Sequence, residues 1–203
     1  RVRRQRQMCI RDRYQEFMRD ITAEIDRENR IITDLLTLVK MDKKNADLQI
    51  QHMSINQLLE DILKRLRPIA DKRNIDLILD SFRPVEADVD ELKFTSAISN
   101  LVENAIKYNV DDGWVRVSLD ADHKFFYVTV ADSGMGIPED SLSRIFERFY
   151  RVDKSHSREI GGTGLGLAIT RSTIGMHHGV IKVFSKEGEG TTFSVRVPLS
   201  YIP

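Results

Sequence analysis

An apolar stripe in alternating steps of four and three residues opens the patterned part of this chain: Tyr14, Met18, Ile21, Ile25, Glu28, Ile32, Leu35 and Val39. That spacing is the a/d seam of a heptad repeat with one polar member. Ile31, Leu36 and Leu38 widen the apolar face near its end. A helix of this length cannot bury such a face by itself and needs a partner helix. No matching pattern precedes it in the chain, so the expected partner is a second copy or a helix lying outside this sequence.

Past the stripe the patterning changes. Lys43 to Gln51 is polar and reads as a linker. Ser54 is a candidate N-cap for a second helix, with Leu58, Ile62, Leu66 and Ile69 at helical spacing and Pro68 late in it. Ile75, Leu77 and Leu79 alternate as a strand. Val89 to Tyr108 reads as a third helix, with Leu92, Ile98, Leu101, Val102 and Ile106 inward. Trp114 to Leu119 and Phe125 to Val130 alternate as antiparallel strands. Leu165 to Met176 reads as a fourth helix, and Gly179 to Ser185 with Thr191 to Val197 as a closing hairpin. Strands and helices are mixed with little βαβ alternation. The expected fold is therefore an α+β sandwich, with helices on one face of a mixed sheet and one long amphipathic helix ahead of it.

Charge and cysteine content exclude several classes. Across 203 residues the basic and acidic side chains balance at 31 each, so no global field draws nucleic acid or an anionic membrane. Six arginines crowd residues 1–13 without interleaved aromatics. That stretch reads as a disordered or extraneous basic segment, and no nucleic-acid partner is expected. Cys9 is the single cysteine, which rules out an intrachain disulfide and fits a reducing compartment. No apolar run reaches the roughly 20 residues of a membrane span, so no membrane contact is expected.

Three separated segments could carry chemistry. In Asn100–Asn109, Asn100, Asn104, Lys107 and Tyr108 share or adjoin one helical face. An amide oxygen is a hard donor suited to Mg²⁺, lysine can neutralise phosphate, and tyrosine can pack on a base or ribose. Asp132-Ser133-Gly134-Met135-Gly136-Ile137-Pro138 follows a strand. Its carboxylate can accept from an exocyclic amine, and its glycines allow close backbone approach. Gly161-Gly162-Thr163-Gly164-Leu165-Gly166-Leu167 opens a helix, and backbone N–H groups at such a start bind phosphate. It is neither a P-loop nor a Rossmann fingerprint. Taken singly, each segment also fits a capped helix, a surface turn or a plain loop.

In this order, the three resemble the N, G1 and G2 boxes of the GHKL superfamily, the ATP-binding fold shared by gyrase-type ATPases and histidine kinases. Ile145 to Asp153 resembles the histidine-kinase F box, and Gly188 to Phe193 the closing G3 segment. Ile32-Thr33-Asp34-Leu35-Leu36 resembles the second helix of the dimerisation hairpin. The resemblance implies a division into residues 1–13 (basic segment), 14–44 (partial dimerisation helix), 45–53 (linker) and 54–203 (catalytic ATP-binding domain). It implies ATP and Mg²⁺ as cofactors, with Asn104 on the metal and Asn100 supporting the phosphates. Lys107 would contact phosphate, Tyr108 the nucleotide, and Asp132 the adenine amine, with Gly136 letting the base sit close. Gly162, Gly164 and Gly166 would hold the triphosphate, and Arg151 would stabilise charge on the γ-phosphate. Gly134, Ile137, Tyr150, Thr163, Leu165, Leu167 and Thr192 complete the implied nucleotide set. Phe146 to Gly161 would form a mobile lid. The implied partners are a second copy through the N-terminal helix and a response regulator receiver domain. The implied setting is the cytoplasmic part of a membrane-anchored bacterial sensor kinase.

The sequence departs from that family at one place. The histidines are His52, His123, His156, His177 and His178, and none stands in the context of a phosphoacceptor. His177-His178-Gly179 instead matches a structural helix-to-strand corner. Hydrolytic relatives place a glutamate where Asn100 stands, and an amide cannot take up a proton. Glu103 is expected to point elsewhere on its helix. A kinase module is therefore expected ahead of a hydrolase or a purely binding module.

Overall fold

The computed structural model describes residues 14, 17–18, 21–22, 24–26, 28–29, 31–39, 48–152 and 162–202. The basic segment 1–13 and most of the expected lid, residues 153–161, lie outside them. Every described position between 14 and 39 is helical, and this helix is α1. There follow β1 (Ile50–Ser54), α2 (Ile55–Asp71), β2 (Asp76–Ser81), β3 (Glu86–Asp90), α3 (Glu91–Lys107), β4 (Trp114–Ala121) and β5 (Phe125–Asp132). A short α4 (Glu139–Leu142), α5 (Gly166–Met176), β6 (Val180–Lys186) and β7 (Gly190–Pro198) complete the order.

Five strands form the main sheet in the order β2-β4-β5-β7-β6. The β2–β4 pair is parallel and the other pairs are antiparallel, which makes the sheet mixed. Along β4 and β5 every second residue is buried, from Val115, Val117 and Leu119 to Phe126, Val128 and Val130. That face packs against α2, α3 and α5. Helix α2 presents Ile55, Leu58, Leu59, Ile62, Leu63, Leu66 and Ala70 to the core. Each of its larger side chains contributes about 1.5–3 kcal/mol relative to exposure. Phe94 of α3 meets Phe126 edge-on at 5.6 Å, joining helix layer to sheet.

The helix starts follow capping chemistry. Ser54 accepts from Gln57 N–H and begins α2, as its sequence position implied. Asp90 accepts from Lys93 N–H and begins α3. This cap moves the helix start past Val89, which lies in β3 instead. Ile50–Met53, read as linker, also forms a strand, and β1 pairs antiparallel with β3. Leu92, expected to face inward, is 78% exposed, and Ile69, at helical spacing in α2, is 51% exposed. Both sit on solvent faces of helices whose stripes are set by their neighbours.

The two ends of α1 differ. Tyr14, Met18, Ile21, Ile25, Ile32, Leu35 and Val39 of the heptad stripe are exposed. Leu38, off that seam, is buried where the end of α1 meets α5. No described helix is long and apolar enough to cross a membrane.

Candidate functional site

A cleft of ≈ 1340 Å³ opens between α3, the loop after β5 and the glycine-rich start of α5. Its foundation is the C-terminal end of α3. Arg73 donates to the Ile106 and Lys107 carbonyls at 2.8 and 3.0 Å and to the Asn109 carbonyl at 2.7 Å. A cation on the last carbonyls of a helix satisfies orphan acceptors and opposes the helix dipole. The buried Asn109 accepts from Ser133 Oγ at 3.1 Å and donates to the Trp114 carbonyl at 3.0 Å. Helix end and post-β5 loop are thereby tied together, and Asn104, Lys107 and Tyr108 are fixed at the cleft wall.

The deep end is built on Asp132. Its Oδ1 accepts from Gly134 N–H at 2.8 Å and from Thr191 N–H at 3.2 Å. Among the described residues no hydrogen bond reaches Oδ2. Burial pushes this carboxyl above its ordinary range, against the opposing pull of the two backbone donors. Gly136 has φ +70°, and a Cβ there would overlap the Lys186 carbonyl. Only glycine lets this loop lie so close to the β6–β7 hairpin. Met135, Gly136, Ile137, Thr191 and Phe193 complete the wall.

The outer end is built on glycines and cations. Lys107 and Arg151 line it with Gly162, Thr163, Gly164, Gly166 and Leu167. Arg151 Nη1 donates to the Gly162 carbonyl at 2.9 Å. Tyr150 donates to Ser141 Oγ at 3.0 Å, and the Arg144 guanidinium lies 4.4 Å from its ring centre. The two phenylalanines at the start of the expected lid differ. Phe146 lies against Phe193 in the core, whereas Phe149 is exposed with φ +63°.

Several sequence expectations need correction. Thr192 does not line the cleft; Thr191 does. Phe193, Val195 and Val197 face inward on β7, so a period of two puts Thr191 inward and Thr192 outward. That alternation was available in the sequence. Leu165 is fully buried, and Gly134 is packed against the end of α3, where a Cβ would overlap the Tyr108 carbonyl. Neither lines the cleft. Gly166 does line it, but a Cβ there would overlap the Asn100 amide. Its hydrogen side chain lets α5 and α3 touch. The Asn100 amide in turn donates to Thr170 Oγ1 at 3.0 Å, so Asn100 acts first as a helix-to-helix tie. Glu103, expected to point elsewhere, lines the cleft. Its position three residues after Asn100 on the same helix already allowed this.

One contact comes from outside the sandwich. Thr163 donates to Asp34 Oδ2 of α1 at 2.8 Å and accepts from Leu165 N–H at 3.2 Å. Asp34 therefore reaches the glycine-rich loop and adds a carboxylate to the outer end. No described histidine lines the cleft. His177 is buried, donating through Nδ1 to the Thr173 carbonyl and accepting at Nε2 from Asp90 N–H. Burial holds it below its ordinary range, so it is a neutral corner post.

From α3 the cleft is lined by the Asn104 amide and the Glu103 carboxylate, both hard oxygen ligands. They fit Mg²⁺ carried with a polyphosphate better than a soft metal.

Residues 89–201 match the family model described as Histidine kinase-, DNA gyrase B-, and HSP90-like ATPase. The chain is 34% identical over 185 residues to the sensor histidine kinase WalK of Bacillus subtilis, covering 90% of this chain and 30% of that protein. It spans less than half the length of the curated relatives it matches. The catalytic domain of histidine kinase ThkA superposes with a TM-score of 0.67 at 26% identity, covering 75% of this chain and 99% of that one. A structure of ThkA in complex with the response regulator protein TrrA superposes at 0.71 and 24% identity, covering 88% and 49%. The last likeness bears on fold alone. Fold, cleft and family match agree, and the chain belongs to the histidine kinase-, DNA gyrase B- and HSP90-like ATPase family.

Proposed function

We propose that this chain binds ATP with Mg²⁺ in the cleft and is the catalytic module of a sensor histidine kinase. The observation that carries the reading is the buried Asp132 carboxylate. It is held by two backbone N–H groups, while Oδ2 makes no described hydrogen bond. Such a group accepts an exocyclic amine and disfavours a carbonyl oxygen. The triphosphate would then run outward past Asn104 toward Lys107, Arg151 and the glycine-rich loop. Bound Mg²⁺ would neutralise the phosphate oxygens, with Asn104 the side chain best placed to hold it. Transfer would form a bond from an imidazole nitrogen of an acceptor histidine to the γ-phosphorus. The bond from that phosphorus to the β,γ-bridging oxygen would break, releasing ADP. Arg151 would stabilise charge as it shifts to the leaving oxygen.

No described histidine faces the cleft, so the acceptor is a histidine of another segment or chain. We assign the exposed heptad seam of α1 to pairing with a second copy, and a receiver domain to the next step of the relay. The setting that follows is the cytoplasmic portion of a membrane-anchored kinase. Against a hydrolase stands the amide of Asn100, which cannot act as a base and is bonded to Thr170. On the same helix the Glu103 carboxylate lines the cleft, so Glu103→Gln should lower any residual hydrolysis.

The test is calorimetry with ATP and Mg²⁺, followed by transfer of labelled phosphate to a separately supplied dimerisation hairpin. Absence of ATP binding would end the whole reading. Binding without transfer to any hairpin tried, together with brisk hydrolysis, would replace the kinase by an ATPase.

A further inference from the structure

One row of side chains crosses three strands at the deep end of the cleft. Ser185 of β6 pairs in register with Thr191 of β7, which pairs with Asp132 of β5. Ser185 is not among the residues lining the cleft. Its hydroxyl nevertheless has three partners: Ile137 N–H at 2.8 Å, the Gly190 carbonyl at 2.8 Å and Thr191 Oγ1 at 2.9 Å.

A serine hydroxyl has one hydrogen and two lone pairs. The Gly190 carbonyl can only accept, so it takes the Ser185 hydrogen. The Ile137 N–H can only donate, so it occupies one Ser185 lone pair. The remaining lone pair faces Thr191 Oγ1, which must therefore be the donor in that pair. With its hydrogen spent on Ser185, Thr191 has only acceptor lone pairs left for the cleft.

We propose that Ser185 is a positioning residue for base selectivity, which turns the Thr191 hydroxyl into an obligate acceptor beside Asp132. The row then presents a carboxylate and a hydroxyl oxygen of the same polarity toward the base. A ligand edge bearing an amine donor is favoured, and one bearing a carbonyl is rejected twice. Ser185 does this without touching the ligand. By holding Ile137 it also fixes the loop that carries Gly136 against the hairpin. The proposal rests on the reading of the deep end as an adenine pocket.

The test measures binding of ATP, GTP and purine riboside triphosphate, which lacks the amine, to the full chain. For Ser185→Ala the ATP-over-GTP preference is expected to shrink about five- to tenfold, the effect of one lost hydrogen-bond constraint. Ser185→Thr keeps the hydroxyl and should retain the preference within about twofold. Adding Thr191→Val to Ser185→Ala should change the preference little further, because both act through one hydroxyl. A merely structural serine would lower the melting temperature and weaken all three nucleotides alike. That pattern, or an unchanged preference in Ser185→Ala, overturns the proposal. If Ser185→Ala does not fold, Ser185→Cys carries the same expectation, since a thiol is a poor acceptor. A wild-type chain that binds ATP no better than GTP counts against the adenine pocket itself. A wild-type preference with no response to Ser185 substitution counts against Ser185 alone.

Discussion

The two ends of the cleft are built by opposite means. At the deep end each polar group is held by its own sandwich: Asp132 by two backbone N–H groups, Ser185 by three partners, Gly136 by the backbone opposite. At the outer end the loop is held partly by itself, through Arg151 on the Gly162 carbonyl, and partly by α1, through Asp34 on Thr163. The first arrangement is preorganised, so it selects a ligand without moving. The second depends on an element outside the sandwich, so it can respond to where that element sits. Base selection should therefore be insensitive to α1, and phosphate binding should not.

The sharpest way to break this contrast is Asp132→Asn. The amide keeps an oxygen for the Gly134 and Thr191 donors but replaces a charged acceptor with a neutral group. Loss of one charged hydrogen bond costs about 1.5–3 kcal/mol, so ATP affinity should fall roughly 10- to 150-fold in calorimetry. Stability should move the other way. Burial raises the folded carboxyl's pKa, so the folded state holds its proton more tightly than the unfolded chain. That contribution is full at acid pH and is lost as pH rises through the folded value. At neutral pH the ionised group opposes folding, and Asp132→Asn should melt higher than the parent. A variant that lost both affinity and stability would mean that the carboxylate is structural.

Next in size is a pair of glycines on one helix. Gly166→Ala would push a Cβ into the Asn100 amide, across the α3–α5 contact. Overpacking of this kind costs about 1–3 kcal/mol, and it should disturb the outer end while leaving the ATP-over-GTP preference intact. Gly175→Ala meets nothing within 4 Å and should stabilise by about 0.4–1 kcal/mol through the unfolded chain. Denaturant titration of both variants separates a glycine needed for contact from one that is not. Equal effects would remove the packing role assigned to Gly166.

How much of this was legible beforehand follows the range of each interaction. The helix starting after Ser54 and the alternating β4 and β5 were readable because a cap and a period of two are local signals. The segments around Asn104, Asp132 and Gly164 were readable because chemistry of this kind concentrates in short motifs. Strand β1 was not: Ile50–Ser54 is a strand only because β3 lies beside it, more than 30 residues away. Gly166 lines the cleft as expected, but its second role, against Asn100, was hidden for a related reason. A glycine facing a phosphate and a glycine facing another helix look the same until the second helix is in place. Thr192 was a different failure, since the inward series Phe193, Val195, Val197 already pointed to Thr191.

Lys107→Ala sharpens the contrast from the outer side. Lys107 lines the cleft near Gly162 and lies 5.2 Å from the Tyr108 ring centre. Removing its charge should weaken ATP about tenfold and adenosine hardly at all. The loss should diminish at high ionic strength, because partly exposed charges are screened. Equal loss for ATP and adenosine would place Lys107 at the base rather than at the phosphates.

The smallest expected effect is also the one that isolates α1. Asp34 sets a carboxylate at the rim where a triphosphate would pass, and it holds the Thr163 hydroxyl at 2.8 Å. Both features oppose an incoming polyanion: the charge repels it, and the hydroxyl is engaged elsewhere. Asp34→Ala should therefore raise ATP affinity by about two- to fivefold, the scale of a partly exposed charge interaction with one modest hydrogen bond. The gain should vanish for adenosine, fade with added salt, and leave the ATP-over-GTP preference untouched. If affinity falls instead, Asp34 assists the loop rather than restraining it, and Thr163 reaches phosphate only with α1 in place. If the base preference shifts as well, the two ends of the cleft are coupled through α5, and the division between a preorganised end and a responsive one fails.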